Sequence, residues 1–217
     1  GRHVTKEHVL AAIQKAVGGP VEEGNVGAGT GTTCFDFKGG IGTSSRRLPE
    51  TRGGYTVGVL VQTNFGGVFQ IKGVLFREIT GKTEAELSDG TSSGGSCLVV
   101  VATDAPLDAR NLKRLAKRAL LGIARTGGYY SHGSGDYAIA FSSAREVRIP
   151  HRAAGPTQTV TLLRDEKMSP LFLAAAEATE EAILNSLFKA ERMEGRDGHI
   201  AEALPIDKLK GLVPEKK

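Results

Sequence analysis

The chain has 217 residues, 40% of them hydrophobic, and a formal charge of +4, enough apolar material for one large or two small globular domains. Its charges are spread along the sequence without a basic stripe, and eight Phe, four Tyr and no Trp offer few stacking surfaces, so no nucleic-acid partner is expected. Two cysteines cannot build a disulfide framework, five scattered histidines lack ligand spacing, and no run resembles a membrane span or signal peptide; the expectation is a cytoplasmic protein with neither metal nor cofactor and no membrane contact.

Thr5 is placed to cap a helix running to about Val17, with Val9, Ile13 and Ala16 on one face and Gly18-Gly19-Pro20 as its stop. Two glycine-rich segments follow, Gly24-Asn25-Val26-Gly27-Ala28-Gly29-Thr30-Gly31-Thr32-Thr33-Cys34 and Gly39-Gly40-Ile41-Gly42-Thr43-Ser44-Ser45-Arg46. Gly27 to Thr32 lacks the last glycine of the dinucleotide fingerprint, and no Gly-Lys-Ser/Thr of a P-loop occurs. Either the glycines let backbone segments pack closely, or they line a ligand. Tyr55 to Asn64 alternates in strand fashion, with Tyr55, Val57, Val59 and Val61 on one face. Phe65-Gly66-Gly67 predicts a turn into a second strand over 68–77, paired with the first as a hairpin. Asn64, at the end of the first strand, is a turn residue or a donor to an anionic oxygen.

Residues 78–95 are polar and rich in Ser and Gly, the composition of a linker. The chain then changes abruptly at Gly94-Gly95-Ser96-Cys97 into the apolar run Leu98 to Ala102, which predicts a core strand. Two glycines allow the Gly95 carbonyl and the Ser96 hydroxyl to meet in geometries that a Cβ would resist. Were the bond between them cut, Ser96 would present a hydroxyl nucleophile and an amine base on one residue. Cys97 points to the opposite face of the strand and, like Cys34, reads as a small core residue.

Asp104 and Pro106 are expected to open a helix with Leu112, Leu115, Ala116, Ala119, Leu120 and Ile123 inward and Arg110, Lys113, Arg114, Lys117 and Arg118 outward, ended by Gly127-Gly128. Tyr129-Tyr130-Ser131-His132-Gly133-Ser134-Gly135-Asp136 then leads into a strand, Tyr137 to Phe141. This is a simple turn or a set of small polar groups arranged as a site. A third helix is predicted from Ser169, with Pro170 in its first turn, to about Glu194, followed by an irregular tail.

Gly24 to Gly31, Phe37 to Arg46, Ser96 with Val99 to Leu107, Ser134-Gly135-Asp136 and Gly195-Arg196-Asp197-Gly198, in that order along nearly the whole chain, resemble the L-aminopeptidase/D-esterase family, which includes the β-peptidyl aminopeptidases. The resemblance implies an α/β fold, a four-layered α-β-β-α sandwich. It also implies autoproteolysis between Gly95 and Ser96, so that residues 1–95 are the latter part of a first subunit and residues 96–217 a second, together one domain. A longer N-terminal region precedes the position of Gly1 in the family and supplies part of the fold and an active-site tyrosine. The implied protein is a homo-oligomer, commonly a tetramer, that releases N-terminal residues from short peptides, amides or esters. Ser96 would be the nucleophile, Asn64 the oxyanion donor, and Ser134 a hydrogen-bond partner of the Ser96 amine or hydroxyl. Asp136 with Gly135 would orient that network or receive the substrate ammonium; β-peptide-cleaving members are expected to carry Glu where this chain has Asp136.

Two other functions fit parts of the pattern. Ornithine acetyltransferases of similar fold also use a self-generated N-terminal nucleophile, expected to be Thr where this chain has Ser96. The glycine segments could instead form an anion- or nucleotide-binding module in which Ser96 stays uncut.

Overall fold

The structure is a computed structural model and describes residues 3–77, 95–152 and 155–209. Its strands are β1 (Thr33–Cys34), β2 (Phe37–Lys38), β3 (Ile41–Arg47), β4 (Thr56–Asn64), β5 (Gln70–Ile71), β6 (Val74–Leu75), β7 (Ser96–Thr103), β8 (Tyr137–Ser142), β9 (Met193–Glu194) and β10 (Ile200–Ala201), and its helices are α1 (Lys6–Gln14), α2 (Ala109–Arg125), α3 (Ser169–Phe188) and α4 (Ile206–Leu209). The main sheet has the order β3-β4-β7-β8. β4 runs antiparallel to both β3 and β7, and β8 returns parallel to β7 after the α2 crossover.

Strand alternation decides where the core lies. Val57, Val59, Val61 and Thr63 of β4 and Cys97, Val99, Val101 and Thr103 of β7 are buried on one face. Each buried Val contributes on the order of 1.5–3 kcal/mol relative to exposure. α3 covers β3 and β4 on this face, and α2 covers β7 and β8 beside it. The opposite face is apolar too: Leu98, Ile139 and Phe141 stay exposed there. The described residues thus supply one sheet and one helical layer of the four that the resemblance implies.

Glycine sets how closely the layers approach. A Cβ on Gly42 of β3 would sit 1.9 Å from the Ala182 carbonyl oxygen of α3, and one on Gly40 would sit 1.9 Å from the Gly24 carbonyl oxygen. Thr43 O accepts from Asn185 Nδ2 at 2.8 Å, and Thr63 Oγ1 lies 3.0 Å from Ser186 Oγ, so polar bonds close the same seam.

Several predicted boundaries shift. α1 stops at Gln14, short of Val17, and Val9 and Ile13 on its apolar side are exposed. α2 begins at Ala109, because Asp108 is its N-cap and accepts the Asn111 N–H at 2.8 Å; Asp104 instead accepts the Thr56 N–H at 2.7 Å across the sheet. Its basic side meets protein groups: Arg110 pairs with Asp165 at 2.7 Å, and the guanidinium carbons of Arg114 and Arg118 lie 5.1 and 4.8 Å from the Phe172 ring centre.

The segment 68–77 does not pair with β4. It forms its own short hairpin, β5 with β6, around Lys72 and Gly73, both at positive φ. Before that turn, the Val68 and Gln70 N–H groups donate to the Gly127 and Thr126 carbonyls at the end of α2, while both edges of β4 are taken by β3 and β7. α3 ends at Phe188, before Glu194, and the tail expected to be irregular holds the β9–β10 pair and α4. The predicted linker 78–95 lies, except for Gly95, outside the described residues.

Candidate active site

Ser96 is the first residue of β7, and its cross-strand partner is Asn64, the last residue of β4. Directly opposed residues of an antiparallel pair share a face, so hydroxyl and carboxamide lie on the same side of the sheet end. Asn64 Oδ1 accepts the Thr33 N–H at 3.4 Å. With its oxygen engaged there, the carboxamide presents its N–H edge on the other side.

The parallel register of β7 and β8, Leu98 with Tyr137, carries the residues just before β8 to the side of Ser96. The Gly135 N–H donates to the Gly95 carbonyl oxygen at 2.9 Å. A Cβ built on Gly135 would lie 3.5 Å from Ser96 Oγ, an ordinary contact distance, so the Gly135 backbone stands beside the hydroxyl. Gly95 itself admits no side chain, since a Cβ there would come 2.7 Å from Phe65 Cα.

Ser134 Oγ donates to Asp136 Oδ2 at 2.6 Å. Among the described residues, Asp136 Oδ1 is buried without a hydrogen-bond partner. Leaving such an oxygen unmatched costs on the order of 1–3 kcal/mol, which a cationic ligand would offset. All of Asn64, Gly95, Ser96, Ser134, Gly135 and Asp136 therefore gather at one end of the sheet, around the junction of β4, β7 and β8.

Cys97 is fully buried on the helix face, and burial pushes its thiol well above the ordinary value, with Cys34 and Asp136 adding to the rise; burial likewise raises Cys34. Neither thiol is poised as a nucleophile. Tyr130, which sequence reasoning did not single out, donates its hydroxyl to the Leu120 carbonyl. Its phenol is pushed up to about 12, first by burial and then by Asp136 and Cys97.

Sequence reasoning also passed over Lys38. It is 2% exposed, and its ammonium donates to the carbonyls of Gly29, Thr32 and Gly39 at 2.8, 2.6 and 2.7 Å. An ammonium has three donors, and here all three serve backbone carbonyls. The glycine segments accordingly pack around an inward lysine, which is not directed at an anionic ligand. Among the described residues no group of His, Cys, Asp and Glu is placed to hold a metal, and no helix is long and apolar enough to cross a membrane.

A central strand headed by Ser96 after a glycine, beneath a helical layer, gives the chain the α/β architecture of the Ntn hydrolase fold. The comparisons agree. The L-aminopeptidase D-Ala-esterase/amidase of Ochrobactrum anthropi, described as a variant of the Ntn hydrolase fold, superposes with a TM-score of 0.83 at 38% identity over 97% of this chain and 57% of that one. The PH0078 protein of Pyrococcus horikoshii OT3 gives 0.84 at 47% identity, again over 97% and 57%. A β-peptidyl aminopeptidase, BapA of Sphingosinicella microcystinivorans, is 43% identical over 98% of this chain and 57% of its own length. The profile of peptidase family S58 matches residues 1–201, and the chain belongs to that family. It spans a little over half the length of these relatives.

Proposed function

We propose that the protein is a self-processing serine aminopeptidase acting on short peptides, amides or esters. The observation that carries this reading is Ser96 at the head of β7, with Gly135 N–H on the Gly95 carbonyl and Asn64 directly across the strand pair.

In maturation, Ser96 Oγ attacks the Gly95 carbonyl carbon, and charge gathers on the oxygen that already accepts the Gly135 N–H. Collapse breaks the Gly95–Ser96 C–N bond, and the proton lost by the hydroxyl goes to the departing nitrogen. Water then hydrolyses the resulting ester, leaving a Gly95 carboxylate and a Ser96 with free hydroxyl and amine. Residues 1–95 and 96–217 become parts of two subunits that remain one domain.

In turnover, the α-amine of Ser96 has a reference pKa of about 7.7–8.0 and is partly neutral near pH 7. It takes the Ser96 hydroxyl proton as the oxygen attacks the substrate carbonyl, and returns it to the leaving amine; water then cleaves the acyl–Ser96 ester, releasing the N-terminal residue as its acid and restoring the serine hydroxyl. Asn64 donates to the tetrahedral oxyanion. Asp136 Oδ1, buried and without a donor among the described residues, receives the substrate's ammonium group, which restricts the enzyme to free N-termini, while Ser134 fixes the carboxylate through Oδ2. Assembly as a homo-oligomer, in the family manner a tetramer, belongs to the same proposal and is read by light scattering.

The test uses an aminoacyl p-nitroanilide and its N-acetylated counterpart. Wild type should release nitroaniline only from the first, and Ser96→Ala from neither. Equal turnover of both substrates, or activity surviving in Ser96→Ala, contradicts the reading.

A further inference from the structure

Lys38 carries a positive charge in the interior, and among the described residues no carboxylate stands against it. Burial pulls its ammonium below the ordinary lysine value, and a buried cation is expensive unless its donors are matched. A methionine or leucine would fill the same volume but leave the three carbonyls without donors. Those carbonyls belong to the 3₁₀ turn at Gly27–Gly29, to Thr32 and to Gly39, so one side chain joins both glycine segments.

The loop needs that tie. Between Thr30 and Thr33 it forms, together with Lys38, one wall of a cavity of about 370 Å³ faced by Met193, His199 and Ile200, and so lacks packing on that side. Lys38 is the β-ladder partner of Thr33, and Thr33 is the residue whose N–H meets Asn64 Oδ1. At 3.4 Å that bond is long and pulls weakly by itself. A small displacement of the loop at Thr33 is therefore enough to break it and free the carboxamide.

We propose that Lys38 is a positioning residue: its ammonium fixes the Gly29–Thr33 loop so that the Thr33 amide holds the Asn64 carboxamide with its N–H edge towards Ser96. This rests on the reading of Asn64 as the oxyanion donor. It gives the glycine segments a purpose that neither a nucleotide nor an anion supplies: they let the loop close around the lysine.

Two measurements on Lys38→Met separate the tie from the catalytic reading. In protein labelled with ¹⁵N-asparagine, the Asn64 side-chain NH₂ resonances, assigned by their loss in Asn64→Ala, should move towards the position of an unstructured asparagine when Lys38 is replaced. Unchanged resonances overturn the tie, whatever Ser96 does. In steady-state kinetics, Lys38→Met should lower kcat by about 10–100-fold with KM within about threefold, as loss of aim at an oxyanion requires. In an Asn64→Ala background the same replacement should change kcat by less than about threefold. An equal loss in both backgrounds shows that Lys38 acts through general stability and overturns the proposal. A wild-type kcat in Asn64→Ala overturns the oxyanion reading and the catalytic half of the proposal with it, while the resonances still report on the tie. Should Lys38→Met fail to accumulate folded, Lys38→Gln, whose shorter side chain keeps two of the three donors, should shift the resonances and lower kcat in the same direction by a smaller amount, and no change in either overturns the proposal.

Discussion

Asn64 allows stability and catalysis to be separated at one position. Among the described residues its side chain makes one long bond, Thr33 N–H to Oδ1 at 3.4 Å, at an exposed site. Losing such a bond costs about 0.5 kcal/mol, the low end for a neutral hydrogen bond, or roughly 1–2 °C in Tm for a chain of this size. Losing a preorganised oxyanion donor costs about 2.7–4 kcal/mol of transition-state stabilisation, a factor of about 10²–10³ in kcat. Asn64→Ala should therefore lose most of its activity and almost none of its stability. Asn64→Asp sharpens the distinction. It preserves the oxygen that accepts from Thr33 but replaces the N–H edge with a second oxygen, placing negative charge where the transition state gathers its own. Its kcat should fall at least as far as that of the alanine variant while its Tm stays near wild type. The assay is kcat and KM on an aminoacyl p-nitroanilide beside a thermal melt. A fully active Asn64→Asp enzyme would refute the donor role, as would losses of rate that merely track loss of folded protein.

Three further outcomes follow from named contacts. Gly42→Ala places a methyl 1.9 Å from the Ala182 carbonyl, backbone against backbone, and should cost about 1–3 kcal/mol, lowering Tm by roughly 2–12 °C; Gly31→Ala, with nothing within 4 Å of the new Cβ, should melt like wild type, and equal melts for both variants would sink the close-approach argument. Asp136→Asn should lower kcat/KM for free-amine substrates by about 10–100-fold, the scale of a charged hydrogen bond, and leave the N-acetylated substrate as poor as before; an unchanged kcat/KM would remove the ammonium from Asp136 Oδ1. Burial raises both thiols above their unfolded value of about 8.5, so the stability they contribute is complete below that pH and is lost as the pH rises beyond it towards the folded values. Denaturant midpoints should drop between pH 7 and pH 9.5, less steeply in Cys34→Ala/Cys97→Ala, and identical slopes would contradict the assignment.

What the sequence made legible follows from which interactions are local. β4 announces itself by alternation and β7 by an apolar run after an abrupt change of composition, and the buried positions Val57, Val59, Val61, Cys97, Val99 and Val101 are those that face the helices. α2 and α3 were legible from apolar spacing, although the cap of α2 is Asp108 and not the pair Asp104 and Pro106. The fate of residues 68–77 was not legible, because their partners are carbonyls at the end of α2, more than fifty residues away in sequence, and periodicity carries no record of such partners. Lys38 was invisible for the same reason: a lysine before two glycines reads as a solvated turn until its three carbonyl partners are known. At the site, Ser96 stood out at a change of composition. Asn64 and Ser134-Gly135-Asp136 were ambiguous turn residues, and only the family resemblance drew them together. Strand register does so physically, setting Asn64 across from Ser96 and Gly135 against Gly95. The Ser134–Asp136 hydrogen bond depends on side-chain aim, which no spacing rule contains.

The central claim is that Ser96 becomes a new N-terminus. Denaturing mass spectrometry of the purified protein and of Ser96→Ala tests it most directly. Wild type should give one piece ending at Gly95 and another beginning at Ser96, and the variant one unbroken chain. An unbroken wild-type chain under conditions where the protein turns over substrate, or a Ser96→Ala chain cut at the same bond, would contradict the account.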